Sequence, residues 1–186
     1  MNLQYVKSEI YNLGFSDEQD VDISIVLQAI NRAVDTIANT VRPILSSYTI
    51  KKEEQPVLKM IDFKEIAKEK GETFVSFYES FELADDGYVP IGNHSIINRH
   101  LMQVYTDKDY LIYYKRMYKI VDINTPDTFE FELDADLHIL IPLLAAFYVW
   151  QDDEERKADK MYNDYETKRN DIISREIKTV AYVRGG

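Results

Sequence analysis

Hydrophobic positions near the N-terminus recur at helical spacing. The stripe predicted to be buried in a first, short helix consists of Leu3, Val6, Ile10 and Leu13. Gly14 follows at the position where a glycine in the left-handed conformation commonly ends a helix. The pattern therefore predicts a helix that stops at Gly14.

A second, longer apolar stripe comes next in the chain. It comprises Val26, Ile30, Ala33, Val34, Ile37 and Val41. Pro43 lies just beyond it, and proline cannot continue a helix because it lacks the backbone N–H. The expected N-terminal caps are Ser16 and Asp17 or Asp20. Residues 1–45 are thus predicted to be helical.

The period changes to two from Tyr48, so residues 48–133 are predicted to be mainly β. A turn at Asp85, Asp86 and Gly87 predicts one hairpin between strands at 74–81 and 88–91. A second hairpin is expected between strands at 96–105 and 110–120, which the polar stretch 106–109 separates. The charged segment 64–71 is either a loop or one helical turn. Residues 129–133 resemble either a short exposed strand or an extended approach to the last helix.

The C-terminal third is predicted to be helical over residues 134–176, with Asp134 or Asp136 as the cap and Pro142 near the start. Leu137 to Trp150 is apolar almost all round, so this half should be buried. The half beyond Asp152 keeps only a narrow apolar stripe. Residues 177–186 are predicted to be an extended tail. The pattern indicates one α+β domain over 1–176, in which the helices pack with a central antiparallel β region.

The cysteine content, the net charge and the distribution of apolar residues exclude several classes of function. The 186 residues include no cysteine and carry a net charge of −11, which excludes disulfides and thiolate sites and opposes tight binding to a phosphate backbone. Met1 to Gly14 lacks the basic stretch and apolar core of an export signal. The apolar run 137–150 is too short to span a bilayer. No membrane association is expected.

No group of residues in the sequence has the spacing of a catalytic, metal-binding or nucleotide-binding site. The three histidines, His94, His100 and His138, lie on separate elements without the spacing of a zinc site, and no glycine-rich phosphate loop occurs. Consecutive acids at Asp152 to Glu155 point in different directions around a helix and cannot converge on one ion. The expectation is a protein that is not an enzyme, with no catalytic residue, no metal and no cofactor.

One strand does suggest a ligand. Residues 110–118 are rich in tyrosine and interleaved with Lys115 and Arg116, a pattern that proteins use to stack single nucleic-acid strands. Tyr113 and Tyr114 fall on opposite faces, so one should be buried and the other exposed. A noncatalytic binding module for a peptide, glycan or nucleic-acid strand is therefore one hypothesis. An ordinary strand with one buried face is the simpler alternative.

The order of the predicted helices and strands resembles that of a known protein family. An N-terminal helical pair ends at Val41, Arg42 and Pro43, a tyrosine-rich β region follows, and the apolar run with the sequence IPLLAAF at 141–147 leads into the acids at 152–155 and the helical stretch 158–165. This chain resembles the head-to-tail connector, or adaptor, proteins of tailed bacteriophages. The β portion is longer than in compact, nearly all-helical adaptors, which leaves open a related neck or ring protein or an unrelated virion component.

The resemblance implies a structural virion protein in the neck region, made in the cytoplasm of the host bacterium. It would form a ring of roughly twelve subunits, contact the portal protein and tail or neck proteins, and line a channel through which genomic DNA passes without specific binding. An acidic wall would let a duplex slide without sticking. No enzymatic step is implied.

Helices with apolar stripes are the candidates for contacts between neighbouring subunits. The residues proposed for this interface are Val26, Ile30, Ala33, Ile37, Met161, Tyr162, Tyr165 and Ile172. The alternative for the first four is that they form the core of the chain itself. Residues proposed to contact the portal or another partner are Ile177, Val180, Tyr182 and Arg184.

Overall fold

The computed structural model describes residues 1–14, 21–84, 87–90 and 95–184, with the side chains of 177–184 left out of the description. Contacts between Cα atoms divide the chain into two compact units. A helical unit comprises Met1–Pro43 and Tyr118–Gly186, and a β unit comprises Ile44–Met117. The α+β class predicted from the sequence is confirmed. The single predicted domain corresponds to these two units, each with buried apolar residues of its own.

In the helical unit, helix α1 spans Leu3–Gly14 and buries Leu3, Val6 and Ile10, as predicted. Its first N–H groups have no partner within the helix. The N–H of Leu3 donates to Phe129 O at 2.9 Å, and that of Gln4 donates to Asp127 O at 3.1 Å. Of the two alternatives for 129–133, the strand does not form, since only an isolated bridge between Asn2 and Glu130 occurs there. This segment satisfies a helix end instead of a sheet.

Gly14 is the last residue of α1, and the structure shows a need for glycine here that the sequence did not reveal. Its φ is not positive, so the predicted left-handed cap is wrong. A Cβ at this position would lie 2.2 Å from the Trp150 ring. Glycine is required here because an aromatic side chain of another helix occupies the space that a Cβ would take.

The Gly14→Ala variant is expected to destabilise the protein by about 1–3 kcal/mol, the usual cost of overpacking a close contact. Urea unfolding followed by far-ultraviolet circular dichroism measures this change, because this signal does not depend on Trp150, the single tryptophan, and so serves in both backgrounds. In the Trp150→Phe background the atoms that clash are absent, so the same substitution should cost less. Equal costs in both backgrounds would show that close approach is not the cause.

Helix α2 spans Ile23–Thr40, and its N-cap is Asp22, whose carboxylate accepts from the N–H of Ser24 at 2.8 Å. The predicted caps Ser16, Asp17 and Asp20 lie outside the described residues. The helix ends before Pro43, as predicted. Its apolar stripe is buried in the helical unit.

The C-terminal part forms two helices, which corrects the prediction of one. A 3₁₀ turn at Ala135–Leu137 precedes α4, Leu140–Trp150, and α5 spans Glu155–Arg184. Neither predicted cap makes a side-chain capping bond at the 3₁₀ turn, whose N-cap is Asp134. The turn at 151–154 allows α5 to pack against α4, with the rings of Phe147 and Tyr162 5.0 Å apart.

Helix α4 is buried nearly all round, as its composition predicted. The predicted extended tail is also corrected, because the backbone of α5 stays helical to Arg184. The sequence offers the reason: residues 177–184 contain neither proline nor glycine, and Gly185 is the first helix breaker. Residues 185–186 lie outside the described residues.

The β unit contains two antiparallel sheets within its described residues, with strand orders β1-β7-β3-β4 and β2-β6-β5. The strands are β1 Leu45–Ile50, β2 Leu58–Asp62, β3 Phe74–Ala84, β4 Gly87–Pro90, β5 Ser95–Ile97, β6 Leu101–Tyr105 and β7 Tyr110–Arg116. The charged segment after β2 forms a short helix, α3, Phe63–Glu69. Strand structure stops at Arg116, short of the predicted 133.

One predicted hairpin is confirmed and the other is wrong. Strands β3 and β4 pair with Ala84 opposite Gly87, while Asp85 and Asp86 lie outside the described residues. Strands β6 and β7, however, belong to different sheets. Thr106 gives the reason: it is fully buried, and its hydroxyl accepts from the N–H of Val57 at 3.0 Å. Thr106 therefore holds the polar stretch after β6 beside Val57, the residue before β2. As a result β7 does not pair with β6.

The core of the β unit is built around Phe63, the first residue of α3. Its ring lies 4.7 Å from that of Phe77, 5.8 Å from that of Tyr114 and 5.9 Å from that of Tyr48. Both sheets contribute to this cluster, with Met102 and Val104 from one and Ile112 and Tyr114 from the other. The inner faces of the two sheets thus share one aromatic centre.

Candidate interaction surfaces

The two described histidines, His100 and His138, are not part of a metal-binding cluster. Among the described residues no group of three or more His, Asp or Glu side chains is placed to hold a metal ion. His100 lies 3.9 Å from Asp62, and His138 hydrogen-bonds the carbonyl of Leu133 at 2.8 Å. His94 lies outside the described residues. The two described histidines are on different units, each with local polar neighbours.

The tyrosine-rich strand β7 divides its side chains as its alternation predicted. Tyr114 is fully buried and donates to Glu72 at 2.7 Å, whereas Tyr113 faces outward and contacts the ring of Phe81. Burial, together with a hydrogen bond to Asp107, raises the pKa of Tyr110 to about 12. That hydroxyl therefore remains a proton donor at neutral pH.

The basic residues of β7 are engaged within the chain. Arg116 Nε lies 3.5 Å from Glu72, and the ammonium of Lys115 lies 5.6 Å from the centre of the Tyr78 ring. A stacking surface for a nucleic-acid strand needs a row of exposed rings with basic side chains beside them. Here one face of the strand is core, which leaves Tyr113 and the neighbouring Tyr78 as outward-facing rings.

Four residues proposed for a subunit interface are instead core. Val26, Ile30, Ala33 and Ile37 are all 0% exposed in the single chain. They are covered because α2 packs against α4, which is apolar on every side. The sequence left this alternative open, since core and interface produce the same apolar stripe.

The proposed interface residues of α5 divide in two. Met161 and Tyr165 are buried, whereas Tyr162 is 41% exposed and Ile172 is half-buried. Tyr162 and Ile172 therefore remain available at the surface. The proposed portal contacts Ile177, Val180, Tyr182 and Arg184 lie where the structure does not describe side chains.

An apolar groove on the helical unit was missed by the sequence analysis. This α1–α5 groove has a volume of about 430 Å³ and is lined by Tyr5, Leu13, Ile139, Pro142 and Leu143, with Glu9, Asp164 and Lys168 also in its wall. Ile139 and Tyr5 are 46% and 51% exposed. The available signal was the apolar character of α4, since Pro142 and Leu143 line the groove although α1, α2 and α5 all pack against this helix.

A second missed surface is the loop at 119–125, which we call the isoleucine loop. Ile120 is 60% exposed and Ile123 is 75% exposed. Single exposed apolar residues are ordinary, but two on one short loop form a small apolar projection. The sequence gives only a weak signal, since the period-two pattern had assigned Ile120 to a strand.

An ion-pair cluster joins the end of α2 to the C-terminal part of the helical unit. Arg42 contacts Asp134 at 2.6 Å, Asp136 at 2.9 Å and Glu176 of α5. The hydrogen bond from Arg42 lowers the pKa of Asp136 below the ordinary 3.8, and the same bond raises the pKa of Arg42. One guanidinium thus contacts three carboxylates and offsets their combined negative charge only in part.

The lowered pKa of Asp136 predicts an acid-dependent loss of stability. A carboxylate whose pKa is lower in the folded state stabilises that state above its unfolded pKa, and the contribution is lost as the pH falls through the folded value. The Asp136→Asn variant should therefore be less stable than wild type at pH 7, by about 0.2–1 kcal/mol for so exposed a pair. The two should converge in urea unfolding below pH 3.8. If the difference in unfolding free energy between the two proteins stayed constant from pH 7 to below pH 3.8, the lowered pKa of Asp136 would not be its cause.

Comparison with protein-family models and with curated proteins finds no match to this chain. Among the described residues, no helix has both the length and the apolar character that crossing a bilayer requires. The surfaces available for a functional assignment are therefore the α1–α5 groove, the isoleucine loop, the exposed side of α5 and the outer faces of the two sheets.

Proposed function

We propose that this protein is a noncatalytic structural protein of a tailed-bacteriophage virion. It acts as a head-to-tail connector that forms a ring between portal and tail and lines the DNA exit channel. The order of helical pair, tyrosine-rich β region and apolar helix followed by acids supports this assignment through its resemblance to such proteins.

The observation that carries the proposal is the length of α5. This helix has 30 residues, about 45 Å, whereas α4, against which it packs, has 11 residues, about 17 Å. Buried side chains on α5 stop at Tyr165, and residues 166–176 include none. A long helix with much of its surface outside the core of its own chain suits contact with neighbouring subunits.

The charge of the chain is consistent with a channel component. At −11 the protein repels the phosphate backbone unless its cations are gathered on one face. Several described cations are paired with carboxylates, as Lys119 is with Glu132 and Arg42 with Asp136. Such a wall lets DNA pass without binding it.

The mass of the purified protein in solution, measured by light scattering with and without a portal protein, tests this function. A closed oligomer, or a monomer that becomes a ring on the portal, is the expected result. Negative-stain microscopy then checks that the oligomer is a ring. A monomer at every concentration that is also indifferent to the portal would exclude the connector.

A second candidate function rests on the outer face of the sheet β2-β6-β5. Leu58, Met60 and Tyr105 are 62%, 51% and 50% exposed, and Leu58 pairs directly with Tyr105. Leu58 and Met60 share a face because side chains alternate along a strand. An exposed apolar sheet face of this kind is also found in noncatalytic binding modules.

Titration with oligothymidine, short peptides and oligosaccharides, followed by tyrosine fluorescence, tests the binding module. Saturable binding by a monomeric protein, lost in Tyr105→Ser and kept in Tyr88→Ser, would favour it over the connector. Tyr88 is the control because it is 55% exposed on β4, in the other sheet. No saturable binding of any probe would exclude it for these ligand classes.

A further inference from the structure

The distal part of α5, residues 166–176, has little packing to hold it against the rest of the helical unit. Tyr165 is the last buried residue of the described part of this helix, and residues 166–176 are half-buried or exposed. A cleft of about 620 Å³ lies beside them, lined by Asp136, Ile139 and residues of α5. Ile139 and Lys168 also line the α1–α5 groove, so the two depressions adjoin. Close packing of α5 therefore ends near Tyr165.

The sequence of this distal part is a weak helix former. Residues 170–174 are Asn, Asp, Ile, Ile and Ser, and each of these types favours a helix less than alanine, leucine, lysine or glutamate does. A stretch of helix that gains little from burial depends chiefly on propensity, and short helices that depend on propensity are marginal in water. Beyond Tyr165 the helix therefore needs support from outside α5.

Local side-chain contacts do not supply this support. The hydroxyl of Ser174 donates to the carbonyl of Asn170 at 2.7 Å, and a bond of this kind slightly destabilises a helix. Arg169 pairs with Glu166 at 3.1 Å, but a partly exposed pair between successive turns contributes little. Both contacts lie within α5, so neither attaches the distal part to another element.

Arg42, just after α2, makes a contact from outside α5. Its guanidinium donates two hydrogen bonds to the carboxylate of Asp136, at 2.9 and 3.0 Å, and one to Asp134 at 2.6 Å. Two parallel bonds to one carboxylate fix the plane of a guanidinium, so Arg42 is held in place by the 3₁₀ turn. It also binds Glu176, which follows the weak stretch 170–174 by two residues. Arg42 thus joins the 3₁₀ turn to the distal part of α5.

We propose that Arg42 is a latch whose contact with Glu176 keeps α5 helical beyond Tyr165, and that loss of this contact unwinds the distal part. Unwinding is the form of opening because residues 155–184 contain no glycine or proline at which the helix could bend. Glu176 is 41% exposed, so salt screens the contact and ionic strength controls the latch. Opening would unwind 177–184, the segment proposed above to contact a partner. The latch does not depend on the connector assignment.

Hydrogen exchange of the backbone amides at 167–176, corrected for intrinsic rates, tests the latch. Glu176→Lys is expected to accelerate exchange about tenfold, because a lost attraction and a new repulsion each shift the opening equilibrium a few-fold. The matched control is Asp171→Lys, the same charge change at an exposed residue of α5 that makes no ion pair among the described residues. It should not accelerate exchange. Equal acceleration by the two substitutions would overturn the proposal.

A second variant tests whether the latch acts by preventing unwinding. Asn170→Ala and Ser174→Ala replace two exposed, weak helix formers with the strongest one. Added to Glu176→Lys, they are expected to restore slow exchange at 167–176 although the ion pair stays lost. Exchange that remained fast would show that the contact does not compensate for weak helix propensity, and the proposal would be wrong.

Ionic strength gives a readout in the wild-type chain. Protection of the amides at 167–176 should fall as the salt concentration rises from about 0.1 M to about 1 M, where the Debye length shortens from about 10 Å to about 3 Å. Arg42→Gln should lose no protection over this range, because its three carboxylates then only repel one another. The amides of α4 serve as the control and should stay protected throughout. Wild-type protection that did not change with salt, or a loss that Arg42→Gln shared, would overturn the latch.

Discussion

Replacing Phe63 with alanine is expected to destabilise the β unit by about 3–5 kcal/mol, the usual cost of removing a buried phenylalanine. Phe63 is 0% exposed, and its ring contacts the rings of Tyr48, Phe74, Phe77 and Tyr114. Two effects contribute. The variant loses the free energy gained by burying the ring away from water, and it leaves a cavity that the two sheets cannot fill.

Hydrogen exchange of the most protected amides in β6 and β7 measures this change, since the single tryptophan lies in the helical unit. Phe81→Ala is the matched control. Phe81 is half-buried and contacts Tyr113 outside the cluster, so its loss should cost clearly less. Equal effects of the two substitutions would show that Phe63 is not the centre of this core.

Replacing Ile30 with alanine is expected to destabilise the helical unit by about 2–5 kcal/mol. Ile30 is 0% exposed in the isolated chain, in the stripe of α2 that packs against α4. The substitution should lower the midpoint of urea unfolding at every protein concentration, because the lost contacts are within one chain. Tryptophan fluorescence follows the transition through Trp150.

The same variant decides between core and interface. Ile25→Ala is the control on α2, at a position 48% exposed, and it should change stability by no more than about 0.5 kcal/mol. Were Ile30 an interface residue, Ile30→Ala would leave the dilute chain stable and weaken only the assembly. That result would restore the sequence-based interface prediction and contradict the packing of α2 on α4.

The apolar stripe of α2 predicted a helix correctly, but it did not show whether the apolar face packs within the chain or against a neighbouring subunit. The stripe from Val26 to Val41 correctly predicted a helix with one apolar face. An apolar face is equally stable against another helix of the same chain or against a neighbouring subunit. Only the packing of α4 against α2 decides between them, and α4 is more than 90 residues further along the chain.

The error in the second predicted hairpin has a different cause. The strand predicted at 96–105 is two strands, β5 and β6, and the strand predicted at 110–120 is β7, which ends at Arg116. The polar stretch 106–109 is typical of a turn. Their pairing depends on partners distant in sequence, since β6 pairs with β2 and β7 pairs with β1 and β3. Strand propensity is local, whereas pairing depends on burial and on contacts between distant segments.

The candidate site was less predictable than the fold. The groove arises where α1, α4 and α5 leave apolar side chains uncovered, and the isoleucine loop arises because Asn31 holds a distant backbone segment. Neither feature has a sequence motif. Exposure of an isoleucine is a property of its surroundings, so no local pattern distinguishes Ile123 from a core residue.

The sequence by itself determined the α+β class, the positions of α1 and α2, the burial of the apolar run that contains α4, the strand-forming segments and the absence of cysteine chemistry. These follow from hydrophobic period, from proline and from composition, which act within a few residues. Tertiary structure decided which stripes are core, which strands pair and which apolar residues stay exposed. It also decided the role of Gly14, whose missing Cβ makes room for Trp150. These outcomes depend on contacts between segments that are distant in sequence, and a pattern within a few residues does not show which distant segments will pack together.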